Sequence, residues 1–274
     1  YNDLGVDITV VEVLDRILPA EDIDISNFAL KSFEKQGIKI KTSSTVKSLK
    51  TSKGKISVQI ETMAGSEEVS VEKVILAVGI IGNTENLGLE NTSAKVSNGQ
   101  LVVDKWGATH EPGLHAIGDL VGAPWLAHKA SHEGVICVER IAGLENVHPL
   151  DSSNIPGCTY SRPQVASVGL TQKLAEDAGH KVRVGHFPFI GNGKAIALGE
   201  MDGFVKTVFD ATTGELLGAH MIGAEVTEMI QGYTVARTLE TTENELLNTV
   251  FPHPTLSEMM HESVLDAFDR AIHI

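Results

Sequence analysis

The chain has 274 residues, 42% of them hydrophobic, which is enough for two modest domains, each with a core of its own. Its 22 basic and 36 acidic residues leave a formal charge of −14 with no run of Lys or Arg, so nucleic acid and anionic membrane are poor partners. The two cysteines, Cys137 and Cys158, fit neither a disulfide framework nor metal nor C-x-x-C spacing, and favour a reducing compartment. No apolar run approaches the ~18 residues of a membrane-spanning helix.

Residues 6–13, V-D-I-T-V-V-E-V, are a β-branched run that predicts a largely buried strand. Ile25, Phe28, Ala29 and Phe33 then recur at helical spacing, Gly37 sits where a C-terminal cap belongs, and I-K-I-K-T predicts a short strand. From residue 45 to 71, strand patterns separated by S-K-G-K and A-G-S read as a β-meander. V-I-L-A-V-G, residues 74–79, reads as a buried strand ending at Gly79. Residues 1–79 are therefore expected to be an α/β unit, part of a doubly wound domain with an inserted meander.

A second region, residues 80–150, holds L-V-V-D, L-H-A-I-G-D and a helical stretch over residues 125–141. The breaker-rich loop P-L-D-S-S-N-I-P-G opens a third region, residues 151–274. Strands are predicted there at residues 164–169, 181–189, 204–209 and 216–221, with helices at 171–178, 226–239 and 255–272 and a hairpin-like T-T-G at Thr212. That order predicts an antiparallel α+β domain.

Four features carry chemistry. Glu12 ends the first strand, where a carboxylate can take both hydroxyls of an adenosine ribose and repel a 2′-phosphate, although acidic strand ends also simply meet water. The Gly118-Asp119 pair follows an apolar strand and is placed for close approach to a ligand hydroxyl, although such a pair is also a common turn. L-A-H-K-A-S-H-E-G opens a helix whose first N–H groups can donate to an electron-rich ligand edge, while His128 itself also reads as a solvated first-turn residue. In F-P-H-P-T-L-S-E, Thr255 and Glu258 form a T-x-x-E capping box, and His253 is held between two prolines. A histidine followed five residues later by a glutamate can meet it across the turn, giving a base with a fixed tautomer.

Taken together, V-V-E-V-L-D-R-I-L-P, L-H-A-I-G-D, L-A-H-K-A-S-H-E-G and H-P-T-L-S-E resemble the flavin-dependent disulfide reductases, and within them the lipoamide branch more than the glutathione or mercuric branches. The resemblance implies FAD, NAD, a redox cysteine pair and a homodimer that oxidises dihydrolipoamide on the lipoyl domains of 2-oxo acid dehydrogenase complexes. The setting would be the cytoplasm, or the mitochondrial matrix in a eukaryote. By position it implies a partial NAD-binding domain at 1–79, a central domain contributing to the FAD site at 80–150 and a dimerisation domain at 151–274. Asp119 would hold the flavin ribitol, Leu126, Ala127 and His128 would face the flavin ring, and Glu12 and Gly79 would serve NAD. His253 would be the base, supported by Glu258 and serving the other subunit's flavin. No metal is implied.

Where the family commonly reads G-R-x-P-N after the strand, this chain reads G-I-I-G-N, with Ile80 in place of Arg. The chain opens on Y-N-D-L-G and carries neither a G-x-G-x-x-G turn nor a C-x-x-x-x-C pair. It is expected to be a C-terminal portion, inactive alone. A glutathione- or mercuric-reductase-like enzyme, or a non-catalytic dimerisation and nucleotide-binding remnant, are the alternatives.

Overall fold

In the computed structural model, which describes residues 1–274, strand β1 (Thr9–Val11) pairs in parallel with β2 (Lys39–Lys41). Helix α1 (Ile23–Lys35) lies between them in sequence and starts at Asp22, whose carboxylate accepts from the Asp24 amide at 3.0 Å. It ends where Gly37, at φ +91°, reverses the chain and brings the Ile38 amide 3.1 Å from the Phe33 carbonyl. Ile25 and Ala29, one turn apart on α1, are fully buried. The meander follows as β3 (Thr45–Ser52), β4 (Lys55–Thr62) and β5 (Gly65–Val71), paired antiparallel in that order.

The run at residues 6–13 supplies only three residues of strand, and Val6, Val10 and Val13 stay exposed. Residues 74–79 form no strand. Ile75, Leu76 and Val78 are 69%, 75% and 92% exposed. An apolar β-branched run reports hydrophobicity, but a ladder also needs a neighbour to take its N–H and C=O groups, and no strand of the chain pairs with this one.

Residues 75–155 form a compact unit of their own. It contains the hairpin β6 (Val96–Ser97) and β7 (Gln100–Leu101), a bridge between Ala108 and His115, a short 3-10 turn at Gly118–Val121, and helix α2 (Ala127–Ile141).

The other compact unit joins residues 156–274 to residues 1–74. Its later part runs β8 (Gly157–Thr159), β9 (Gln164–Gly169), α3 (Gln172–Asp177), β10 (Val182–Pro188), α4 (Gly193–Leu198), β11 (Phe204–Asp210) and β12 (Leu216–Gly223). Three helices complete it: α5 (Val226–Thr238), α6 (Glu243–Asn248) and α7 (Glu258–Ala267). The strands form one antiparallel sheet in the order β10-β11-β12-β9-β8.

Both faces of that sheet are covered. On one face Val205, Phe209, Ala219 and Met221 pack with Ile230 and Tyr233 of α5 and with Met259 and Val264 of α7. On the other, Phe204, Ile222 and Val165 pack with Ile17, Ile25 and Ala29. Successive side chains of a strand point to opposite faces, so double coverage buries every residue of β11 and β12.

Candidate functional site

His253 and Glu258 meet. The ring Nδ1 lies 2.8 Å from Glu258 Oε1, with the histidine side chain 78% exposed and the glutamate 28% exposed. Glu258 is the first residue of α7, and its other oxygen accepts from the Thr255 amide at 2.8 Å. The expected capping box is therefore half made. The Thr255 hydroxyl donates to the Pro252 carbonyl at 2.6 Å instead of capping the helix. The complete box sits at Thr242 and Glu245, opening α6.

Partial burial pushes the Glu258 carboxyl up, but the Thr255 amide and the His253 ring together hold it below the usual carboxylate range. It is ionised at neutral pH. A carboxylate on Nδ1 fixes the tautomer and leaves Nε2 as the atom that takes up a proton.

The helix carrying Glu258 is docked rigidly. Thr207 Oγ1 of β11 donates to the Ser263 carbonyl at 3.1 Å, Tyr233 Oη of α5 donates to the Met260 carbonyl at 3.0 Å, and Asp266 accepts from the His186 amide at 2.7 Å. The approach to β10 is so close that a Cβ on Gly185 would overlap the Ser263 carbonyl. Only glycine fits beneath α7 there.

In the unit of residues 75–155, Gly118 adopts φ +73° and is buried. Its amide donates to Glu133 Oε2 at 2.7 Å, and an added Cβ would meet that of Ala130 at 3.1 Å. Buried Lys129 bonds the carbonyls of Gly118 and Gly122 at 3.3 and 3.1 Å and pairs with Glu133 at 2.9 Å. This cluster fastens the 118–122 turn to the first turns of α2 and leaves Asp119 exposed. Leu126 is the N-cap of α2, Ala127 and His128 fill its first turn, and no side chain caps it, so the helix presents its partial positive end there. Sequence reasoning missed the Lys129–Glu133 pair, although K-A-S-H-E carried its i,i+4 spacing.

Glu12 directly follows β1. One of its carboxylate oxygens accepts from the Leu14 amide at 2.8 Å, and its own amide donates to the Lys41 carbonyl at 2.8 Å. Gly79, at φ +127°, is exposed in the other unit. Ile80 beside it is 50% exposed and has no charge to offer an anionic ligand.

Both cysteines are free, Cys137 in one unit and Cys158 in the other, and burial pushes the Cys158 thiol up, away from thiolate. No group of three or more His, Cys, Asp or Glu is arranged to hold a metal ion, and no helix is long and apolar enough to cross a membrane.

Residues 1–134 match the family model described as pyridine nucleotide-disulphide oxidoreductase, and residues 155–264 match the model of that family's dimerisation domain. A dihydrolipoyl dehydrogenase of Rhizobium etli is 56% identical over the whole chain, and one of Zymomonas mobilis is 55% identical. The chain spans 57% and 59% of the length of those two proteins. Among solved structures, LpdA from Mycobacterium tuberculosis superposes with a TM-score of 0.88 at 28% identity, covering 96% of this chain and 57% of that one.

Proposed function

The chain belongs to the pyridine nucleotide-disulphide oxidoreductases, and from that premise we propose that the polypeptide carrying it oxidises protein-bound dihydrolipoamide to lipoamide with NAD as acceptor. The observation that carries this reading is the His253–Glu258 contact of 2.8 Å, joined to dihydrolipoyl dehydrogenases at 55–56% identity. His253 takes the proton of a dihydrolipoamide thiol at Nε2, and ionised Glu258 orients the ring and balances the charge it gains. The need for a base follows from thiol chemistry. Only the thiolate attacks a disulfide, and a free thiol of pKa ~8.5 is mostly protonated at neutral pH.

The residues present fit FAD as the resident cofactor. Left-handed Gly118, closed off against Ala130, lets the backbone of the 118–122 turn approach a bound group without a side chain intervening. Asp119 beside it would accept from the ribitol hydroxyls, and Leu126, Ala127 and His128 would offer the positive end of α2 to the flavin ring. The thiolate would pass its electrons to the redox disulfide that the family resemblance implies in the longer polypeptide, and bound FAD would carry the pair from there to NAD.

Glu12, fixed by the Leu14 amide, takes the adenosine ribose hydroxyls of NAD, and its charge rejects a 2′-phosphate. Ile80 offers the nucleotide no charge of its own. The matched dimerisation domain supports a homodimer; in it His253 would serve the partner's flavin, and lipoyl domains of 2-oxo acid dehydrogenase complexes would be the macromolecular substrate.

The assay is turnover by the longest natural polypeptide carrying this sequence. It is expected to reduce NAD with dihydrolipoamide and to discriminate strongly against NADP. A preference for NADPH with glutathione disulfide would overturn the assignment.

A further inference from the structure

We propose that Lys206 is a positioning residue for nucleotide binding, holding the segment that carries Glu12 onto the five-stranded sheet through a buried ionic lock to Asp22 and Asp24. This rests on the reading of Glu12 as the ribose-binding carboxylate. Lys206 lies in the middle of β11 with its side chain 1% exposed, and its ammonium bonds Asp22 Oδ1 at 2.8 Å and Asp24 Oδ2 at 2.6 Å. Those aspartates stand at the start of α1, 184 and 182 residues away in sequence.

The segment between Glu12 and Asp22 is held along its length. The Leu14 amide bonds Glu12, the Leu14 carbonyl accepts from the Ser43 amide at 2.7 Å, and Ile17 is buried against Val165, Phe204 and Ile222 of the sheet. Ser26 Oγ donates to the Leu18 carbonyl at 3.0 Å, and Asp22 Oδ2 accepts from the Gln172 amide at 3.3 Å. The lock therefore closes the far end of a short strap whose near end is Glu12.

The surroundings of Lys206 isolate its charge. Its cross-strand partners are His186 on β10 and His220 on β12, and His220 in turn faces Ser167 on β9. Burial holds both histidines below their ordinary value, so both are neutral and Lys206 is the one cation of the row. The charged groups facing His186 are Asp24, Lys206 and Asp266, and those facing His220 are Asp22, Lys206 and Arg237. His220 bonds the Leu170 carbonyl through Nε2 at 3.0 Å, and its Nδ1 is buried without a partner. A buried pair adds little net stability over an apolar pair of the same shape, but it fixes which groups must face each other, and that is the property a positioning role uses.

The test compares the double variant Lys206→Met/Asp22→Asn with Glu12→Gln and wild type in the longest natural polypeptide, by fluorescence titration with NADH and by KM for NAD and for dihydrolipoamide. Removing both buried charges leaves neither unpaired. The double variant is expected to weaken NADH binding about tenfold, a change of about 1.4 kcal/mol by the standard conversion, with the dihydrolipoamide KM unchanged. Asp24→Asn, at a half-exposed position, is expected to give a smaller loss of the same kind and keeps the test open if the double variant fails to fold. A folded double variant, or Asp24→Asn in its place, with wild-type NADH affinity while Glu12→Gln binds weakly overturns the lock alone. Unchanged affinity in Glu12→Gln overturns the nucleotide assignment, and this proposal with it.

Discussion

Glu21 and Glu258 are both partly buried glutamates, and their surroundings drive them in opposite directions. Glu258 receives an amide and an imidazole and is held below the ordinary value despite its burial. Burial and neighbouring Asp22 raise the Glu21 carboxyl, only the Ser167 hydroxyl opposes them, and Glu21 Oε2 is buried without a partner. The sign for stability follows from linkage. Below the ordinary glutamate value both folded and unfolded chains hold the proton, and nothing is lost. As pH rises toward the raised folded value the unfolded chain ionises first, and stability falls. Glu21→Gln is therefore expected to raise Tm at pH 7 and to change it little at pH 4. A gain that is absent at pH 7, or equal at both, would show that Glu21 carries no such cost.

At the scale of elements, α7 delivers Glu258 to the dyad, and its position depends on β10. Gly185→Ala pushes a methyl group into the Ser263 carbonyl. Overpacking of this kind costs about 1–3 kcal/mol, read as a lower Tm, and because backbone must move the same variant is expected to lose turnover. Wild-type Tm and turnover together would mean that α7 is free to slide. Elements of residues 156–274 were legible within a residue or two at strands such as Leu216–Gly223, because a sheet covered on both faces writes largely apolar runs into its strands. The same signal misled at Ile75, Leu76 and Val78, where the run has no strand beside it. His253 and Glu258 were legible because a separation of five positions and two flanking prolines are local information. Lys206 was not, because its partners lie more than 180 positions away, at a separation of 184 for Asp22.

At the scale of the whole molecule, the residues proposed for chemistry fall in two compact units, the His253–Glu258 pair and Glu12 in one and the Gly118 turn in the other. It spans 57–59% of the length of the two dihydrolipoyl dehydrogenases it matches. The proposed reaction is therefore one to assay in the longest natural polypeptide that carries this sequence. The formal charge of −14 on these 274 residues makes nucleic acid a poor partner for them.

Whether His253 is the base for thiol oxidation is read from steady-state turnover of dihydrolipoamide with NAD by His253→Gln. With flavin content and NADH binding unchanged, kcat is expected to fall by about 10²–10⁴-fold, the usual contribution of a positioned general base. A kcat within about twofold of wild type would contradict the account.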